Sequence, residues 1–366
     1  MPLTSDFEPV RQELRDRDAR AFVHVGRETD STLRYLGRTG GVEGELAVVV
    51  TADRTFLLAP DAPAAATETF PGDQVLPAGG EIPTGERVAT VLDDLDLTGT
   101  VLTPRTIPHD AALYLENAGY DVASTTVVDE ARVVKTDPER LRQTTVQSAA
   151  CAGMRRVAAV LSEAHVHEEG APLHWEDAPL TALRLRREAN AAMAKQGVHP
   201  GQTAIGIGTN PTTPRSSGAV WAGETVVVDL APFGPDGYHG RLVRTFVVDG
   251  DGGWSRRAQL AVNGALDAAI EELGPGETAT AVWTELEAEV AAYGFDADGV
   301  AGYGVGLDAR EAPELDRTDD LDAGTVLALD ARVTDDEEGT VRLAELVEVT
   351  EDGGRLLGAF PRSLLP

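Results

Sequence analysis

The stretch that decides how this chain folds runs from Glu224 to Val248, E-T-V-V-V-D-L-A-P-F-G-P-D-G-Y-H-G-R-L-V-R-T-F-V-V. Val226 to Leu230 is an apolar run suited to a buried strand, with one carboxylate, Asp229, near its end. A turn rich in glycine and proline follows, at Pro232, Gly234, Pro235 and Gly237. A second apolar run, Leu242 to Val248, contains the pair Arg244-Thr245. Strand, turn and strand predict a hairpin. Alternation puts His239 and Arg241 on one face of its second arm.

Composition narrows the function. The chain has 366 residues, enough for two domains with their own cores. Acidic residues outnumber basic ones by 61 to 31, the net charge is -30, and only Lys135 and Lys195 are lysines. Excess acid with scarce lysine has a halophilic, archaeal character: self-repulsion that would loosen the chain in dilute solution is screened in concentrated salt. No basic stripe is visible, so nucleic acid is not an expected partner. The single cysteine, Cys151, excludes an internal disulfide and a Cys-rich zinc site, and its apolar neighbours predict a packed helical position. Met1 to Glu13 is charged and no apolar stretch approaches a membrane span, so a cytoplasmic protein with no membrane partner is expected.

Working outward, residues 1 to about 130 alternate helices and short strands, the pattern of a small α/β domain. Helices are expected at Phe7 to Arg17, Ser31 to Leu36, Arg87 to Leu95 and His109 to Ala118, with strands at Ala21 to Val25 and Gly99 to Thr103. Glu45 to Thr51 and Arg54 to Ala59 read as a hairpin. The boundary lies near Lys135. Beyond it, Thr136 or Asp137 is a fitting N-cap and Pro138 fits the first turn of a long helix reaching about Ala164. Further helices are expected at Pro179 to Gln196, Ser255 to Leu273 and Thr278 to Tyr293, and strands at Thr225 to Leu230, Leu242 to Val248, Thr325 to Asp330 and Arg342 to Val349.

Five segments in order resemble the creatinase/prolidase/methionine aminopeptidase family, the M24 or "pita-bread" peptidases, and within it the Xaa-Pro peptidases. They are the hairpin above, Lys135-Thr136-Asp137-Pro138-Glu139, Gly302 to Leu307 with Arg310-Glu311-Ala312-Pro313, Gly324 to Asp330, and Val341 to Val347. The resemblance implies an α+β fold: a pita-bread domain over residues 135–366, preceded by a smaller creatinase-like α/β domain over residues 1–134. It also implies two divalent metals held by two Asp, one His and two Glu. Carried over by position, the first Asp is Asp229, the second is Arg241, the His is Tyr303, the first Glu is Asp330 and the second is Ala344. The two histidines that assist cleavage fall at Arg310 and Arg215.

Two carboxylates of that set remain, too few for two ions, and a guanidinium has no lone pair to offer a metal. It also repels cations, by roughly 4 kcal/mol per unit charge at about 4 Å and an effective dielectric of 20. Arg241 is therefore expected to take the cation's place and pair with Asp229 or Asp330. No cofactor is expected, and Mn, Co or Zn only if the chain is an active Xaa-Pro aminopeptidase or dipeptidase. The first expectation is a non-catalytic relative binding a peptide or small anionic ligand, because Arg241, Arg310 and Arg215 set against Asp229 and Asp330 give a local charge of 3 − 2 = +1. A homodimer is consistent with relatives of this kind. Other features read more plainly. His165-Val166-His167 is expected at the exposed end of the long helix, His24 and His109 as ordinary core or surface residues, and the four tryptophans as packing. Gly302 to Gly306 opens no helix of a βαβ unit, and Ser216-Ser217-Gly218 lacks a strand–turn–helix context, so neither marks a dinucleotide or a serine nucleophile.

Overall fold

The computed structural model describes all residues except 1–2, 40, 61–63, 78–81, 211, 215, 298, 300 and 318. They form two compact units, Met1–Arg132 and Val133–Pro366.

The first unit is built on β1 (Ala21–Arg27), β2 (Glu45–Thr51), β3 (Thr55–Ala59), β4 (Gln74–Pro77), β5 (Thr100–Pro104) and β6 (Asp121–Thr125), in the order β4-β3-β2-β1-β5-β6. Between them run α1 (Glu8–Asp16), α2 (Ser31–Gly37), α3 (Ala64–Thr69), α4 (Thr84–Asp94), α5 (His109–Asn117) and α6 (Val127–Ala131). Alternate residues Val23 and Val25, Ala47 and Val49, and Phe56 and Leu58 pack with Val88 and Leu92 of α4 and Leu115 of α5. His24 is a core residue, its Nε2 2.9 Å from Asp30 Oδ1.

In the second unit, α7 (Asp137–Glu163) opens where expected: Thr136 N donates to Glu139 Oε2 at 2.8 Å and Pro138 stands in the first turn. The helix ends because Ala164 turns extended, and His165 begins a small sheet instead of lying on the helix. That sheet is β7 (His165–Val166), β8 (Leu173–Trp175) and β9 (Ala178–Pro179), in which His165 pairs His174 and His167 stacks on it at 4.8 Å. Next come α8 (Ala182–Ala194), β10 (His199–Ile207), β11 (Thr225–Phe233), β12 (Leu242–Val247), α9 (Gly253–Glu272), α10 (Ala279–Ala292), β13 (Ala301–Gly304), β14 (Glu311–Glu314), β15 (Val326–Asp335), β16 (Gly339–Thr350) and β17 (Gly353–Leu356). The large sheet runs β10-β11-β12-β16-β15-β13-β14, with β17 beside β16.

Helices cover one face of this sheet in two patches. Met154 and Val157 of α7 and Leu185 and Met193 of α8 pack on Ile205, Val226, Val228, Leu230 and Leu242. Val262 and Leu266 of α9 and Leu286 of α10 pack on Leu327, Leu329, Leu343 and Val347. The alternate residues Val227, Val243 and Ala344 form a separate small cluster on the other face. The candidate site stands on that face. Among the described residues, no helix is long and apolar enough to cross a membrane.

Candidate functional site

Strand register brings the two carboxylates into one row. Asp229 pairs Val243, Val243 pairs Ala344, and Ala344 pairs Asp330 across β11, β12, β16 and β15. Only a valine and an alanine side chain stand between the two aspartates, which leaves room above them. Arg241 and Arg342 lie two residues before Val243 and Ala344, so alternation aims both at the same face.

The guanidinium groups bridge that room. Arg241 Nη1 donates to Asp229 Oδ1 at 2.6 Å, and Nη2 donates to Asp229 Oδ2 at 3.0 Å and to Asp330 Oδ2 at 3.5 Å. Arg342 Nε donates to Asp330 Oδ1 at 2.8 Å, Nη2 to Asp330 Oδ2, and Nη1 to Asp229 Oδ2 at 3.0 Å. Each carboxylate thus accepts three charge-assisted hydrogen bonds, and the quartet carries no net charge, 2 − 2 = 0. The Asp330 side chain is 2% exposed and that of Arg342 19%, so the cluster is closed at its base and meets solvent at one edge. Burial would lower the Arg241 guanidinium, but Asp229, Tyr303 and Asp330 carry it above its ordinary value. Arg342 is raised too, burial being outweighed by Asp330 and Asp229.

Two neutral side chains fix these positions. Gln147 of α7 grips the peptide of residue 241 from both sides: Arg241 N donates to its Oε1 at 2.9 Å, and its Nε2 donates to Arg241 O at 2.8 Å. Thr245 does the same for residue 342, its hydroxyl accepting from Arg342 N at 2.8 Å and donating to Arg342 O at 2.9 Å. Here β12 and β16 share a single backbone pairing, Val243 with Ala344, and the hydroxyl stands in for the next one.

The other sequence candidates lie around this core. Tyr303 is buried beside the quartet; burial lifts its phenol, with Arg241 pulling the other way. Arg310 stacks over the Tyr303 ring at 4.7 Å and pairs with Glu314, not with Asp229 or Asp330. His239 stands further along the hairpin, its backbone N donating to Gly306 O at 2.8 Å and its ring 5.4 Å from that of Phe233. Arg215 lies outside the described residues. Glu345 points to the opposite face, where Arg244 Nη2 meets it at 2.6 Å. Sequence reasoning missed Arg342. The signal was present, because the parity that turns Ala344 toward the cleft turns Arg342 there as well.

Residues 146–351 match metallopeptidase family M24. The chain belongs to this family. Against the Xaa-Pro dipeptidase of Pyrococcus furiosus, this M24 chain is 29% identical over 147 residues, 39% of its own length and 42% of that relative's. The Xaa-Pro dipeptidase structure from Bacillus anthracis superposes at a TM-score of 0.85 and 17% identity, covering 98% of both chains. The N-terminal domain of the FACT complex subunit SPT16 from Cicer arietinum (chickpea) superposes at 0.76 and 15% identity, covering 98% of this chain and 95% of that one. The architecture is therefore the α+β, two-unit M24 fold with a pita-bread second unit. Likeness at this identity fixes the fold; what an M24 cleft does depends on its side chains.

Proposed function

We propose that this M24 protein binds a peptide or small anionic ligand in its cleft and does not work as a two-metal hydrolase. One observation carries the reading. Asp229 and Asp330, the two carboxylates at metal-ligand positions, are each occupied by two guanidinium groups. Among the described residues, no group of three or more His, Cys, Asp or Glu is placed to hold a metal. The residues present therefore do not fit a dinuclear centre, and no hydrolytic step is derived through one.

An anionic ligand is favoured by the two guanidiniums at the edge of the quartet that meets solvent. Arg332 pairs Arg342 in register, on the face that carries Asp330. With Arg257, Trp254, Phe295, Asp296 and Asp335 it lines a cavity of about 460 Å³ that the quartet does not border. The Arg241 and Arg342 guanidiniums offset Asp229 and Asp330, 2 − 2 = 0, which leaves the quartet a neutral, donor-bearing spot in a chain of net charge -30. An oxyanion would find donors there. The acid-rich, lysine-poor surface fits a halophilic protein, so binding is to be measured in molar salt.

The test is calorimetry of acidic tri- and tetrapeptides in molar KCl. Arg241→Ala is expected to weaken binding at least 10-fold; affinity equal to wild type would remove the reading. A second function, cleavage of Xaa-Pro peptides, is favoured by the 29% identity to a Xaa-Pro dipeptidase over 147 residues. Turnover of such peptides with added Mn²⁺ or Co²⁺, abolished by Asp229→Ala, would establish it.

A further inference from the structure

We infer that the Arg241 guanidinium is the resident counter-ion of this cleft and the group that excludes divalent cations, so that a single substitution, Arg241→Asp, converts the quartet into a cation site. The inference rests on the metal-free reading above and deepens it.

Three features of residue 241 support this. Its backbone does not depend on its side chain, because Gln147 holds both its N–H and its carbonyl. Its side chain is held only at the tip: the two Nη atoms carry every hydrogen bond, and Nε is buried without a partner. Its tip lies between Asp229 and Asp330, reaching both, which is the place a bridging cation would take. Replacing the long cation by a short carboxylate at a fixed backbone position clears that space.

The charge then fits one divalent ion. Wild type holds two carboxylates and two guanidiniums in this cluster. R241D holds three carboxylates and the Arg342 guanidinium, −3 + 1 = −2, on β11, β15, β16 and the residue just before β12. Of the six carboxylate oxygens, Arg342 hydrogen-bonds three and leaves clear Asp229 Oδ1 and both oxygens of the new carboxylate, a hard-donor set suited to Mn²⁺ or Mg²⁺. An apolar replacement such as Arg241→Met removes the repulsion but adds no ligand, and leaves only the two carboxylates already bonded to Arg342.

The experiment titrates MnCl₂ into full-length wild type, R241D, R241N and R241M in molar KCl by calorimetry. Thermal unfolding with and without EDTA is read on the same samples. Wild type and R241M are expected to bind no Mn²⁺ at millimolar concentration, with melting unchanged by EDTA. R241D is expected to take one equivalent at least 100-fold more tightly than R241M, with a rise in melting temperature. R241N, which adds a carbonyl oxygen without charge, should bind at least 10-fold more tightly than R241M, and it keeps the test open if R241D does not fold. Stoichiometric Mn²⁺ in wild type overturns the inference. So does a folded R241D or R241N that binds no better than R241M. Acidic-peptide affinity measured alongside reports on the proposed function separately, since its absence leaves the cation result standing.

Discussion

Two ion-pair networks lie on opposite faces of the same strands, β12 and β16. On the cleft face, Arg241 and Arg342 meet Asp229 and Asp330. On the helix-covered face, Arg244 is fully buried and spends every nitrogen: Nε on Pro361 O at 3.0 Å, Nη1 on Val243 O and Ala344 O, and Nη2 on Glu345 Oε1 and Phe360 O. Arg362 joins through Nε to Glu345 at 2.7 Å and Nη1 to Asp267 at 2.6 Å. The difference lies in what accepts the hydrogen bonds. Arg244 is clamped mainly by backbone carbonyls, four of its five bonds, so it ties the C-terminal segment to the sheet. Arg241 is held by carboxylates alone and keeps an unpartnered Nε. Burial pulls the Arg244 guanidinium below its ordinary value, whereas Asp229 and its neighbours outweigh burial at Arg241 and raise it. One network is saturated architecture, and the other is a site with donors left.

The largest expected effect breaks the saturated side. Arg244→Ala leaves Glu345 with Arg362 alone and strips the acceptors on the tail of their donor. Removing one member of a buried charged network costs about 3–5 kcal/mol. Urea unfolding in molar salt should show that loss, and limited proteolysis should now cut within residues 358–366. A loss below about 1 kcal/mol would erase the distinction between the two faces.

The cleft should be less costly to break. Asp330→Asn removes the main acceptor of Arg342, with an expected loss of about 1.5–3 kcal/mol, the range for hydrogen bonds to charged groups. The double variant Asp330→Leu/Arg342→Leu removes both partners of that pair and should regain most of the stability, as apolar replacement of buried ion pairs often does. Denaturant midpoints of the single and double variants decide it. A double variant less stable than Asp330→Asn would mean the quartet is structural, like the network behind it.

Much of this comparison was legible in the sequence. The Arg244-Thr245 pair marked the hairpin, and the charge mismatch at Arg241 pointed to its pairing with the aspartates. The position of Ala344 relative to Glu345 divided the two faces by parity alone, since a period of two needs no tertiary information. Long periodic elements also read well: α7, expected to about Ala164, ends at Glu163, and β11 begins at Thr225 as expected. What failed was context. Arg342 reads as one residue of a strand until its parity is followed to the cleft face, and Arg310, at the position of an assisting histidine, is taken up by Glu314. Strand β10 was missed because His199 to Thr203 opens with polar residues and glycine. Its pairing with β11 also shifts register at Gly201/Gln202, where the Gly201 φ of +58° suits glycine. Nothing local announces the extended turn at Ala164, so the sequence places His165 at the helix end where the structure begins a strand.

The smallest expected effect probes how dry the cleft is. Tyr303 stands beside the quartet, where burial raises its phenol and Arg241 lowers it. A phenol raised in the folded state stabilises fully below its unfolded value, near about 10, and that contribution is lost as pH rises through the folded value. Tyr120 is raised as well, by burial and Asp93, so the two must be told apart by subtraction. The phenolate absorbance of wild type minus that of Tyr303→Phe should show one group titrating above the ordinary tyrosine range. In Arg241→Met the same difference should move higher still, because the nearest positive charge has gone. A Tyr303 that titrates at the ordinary value would show water reaching the base of the quartet. The cleft network would then be a surface cluster, and its contrast with the sealed network behind it would be one of solvation more than of bonding.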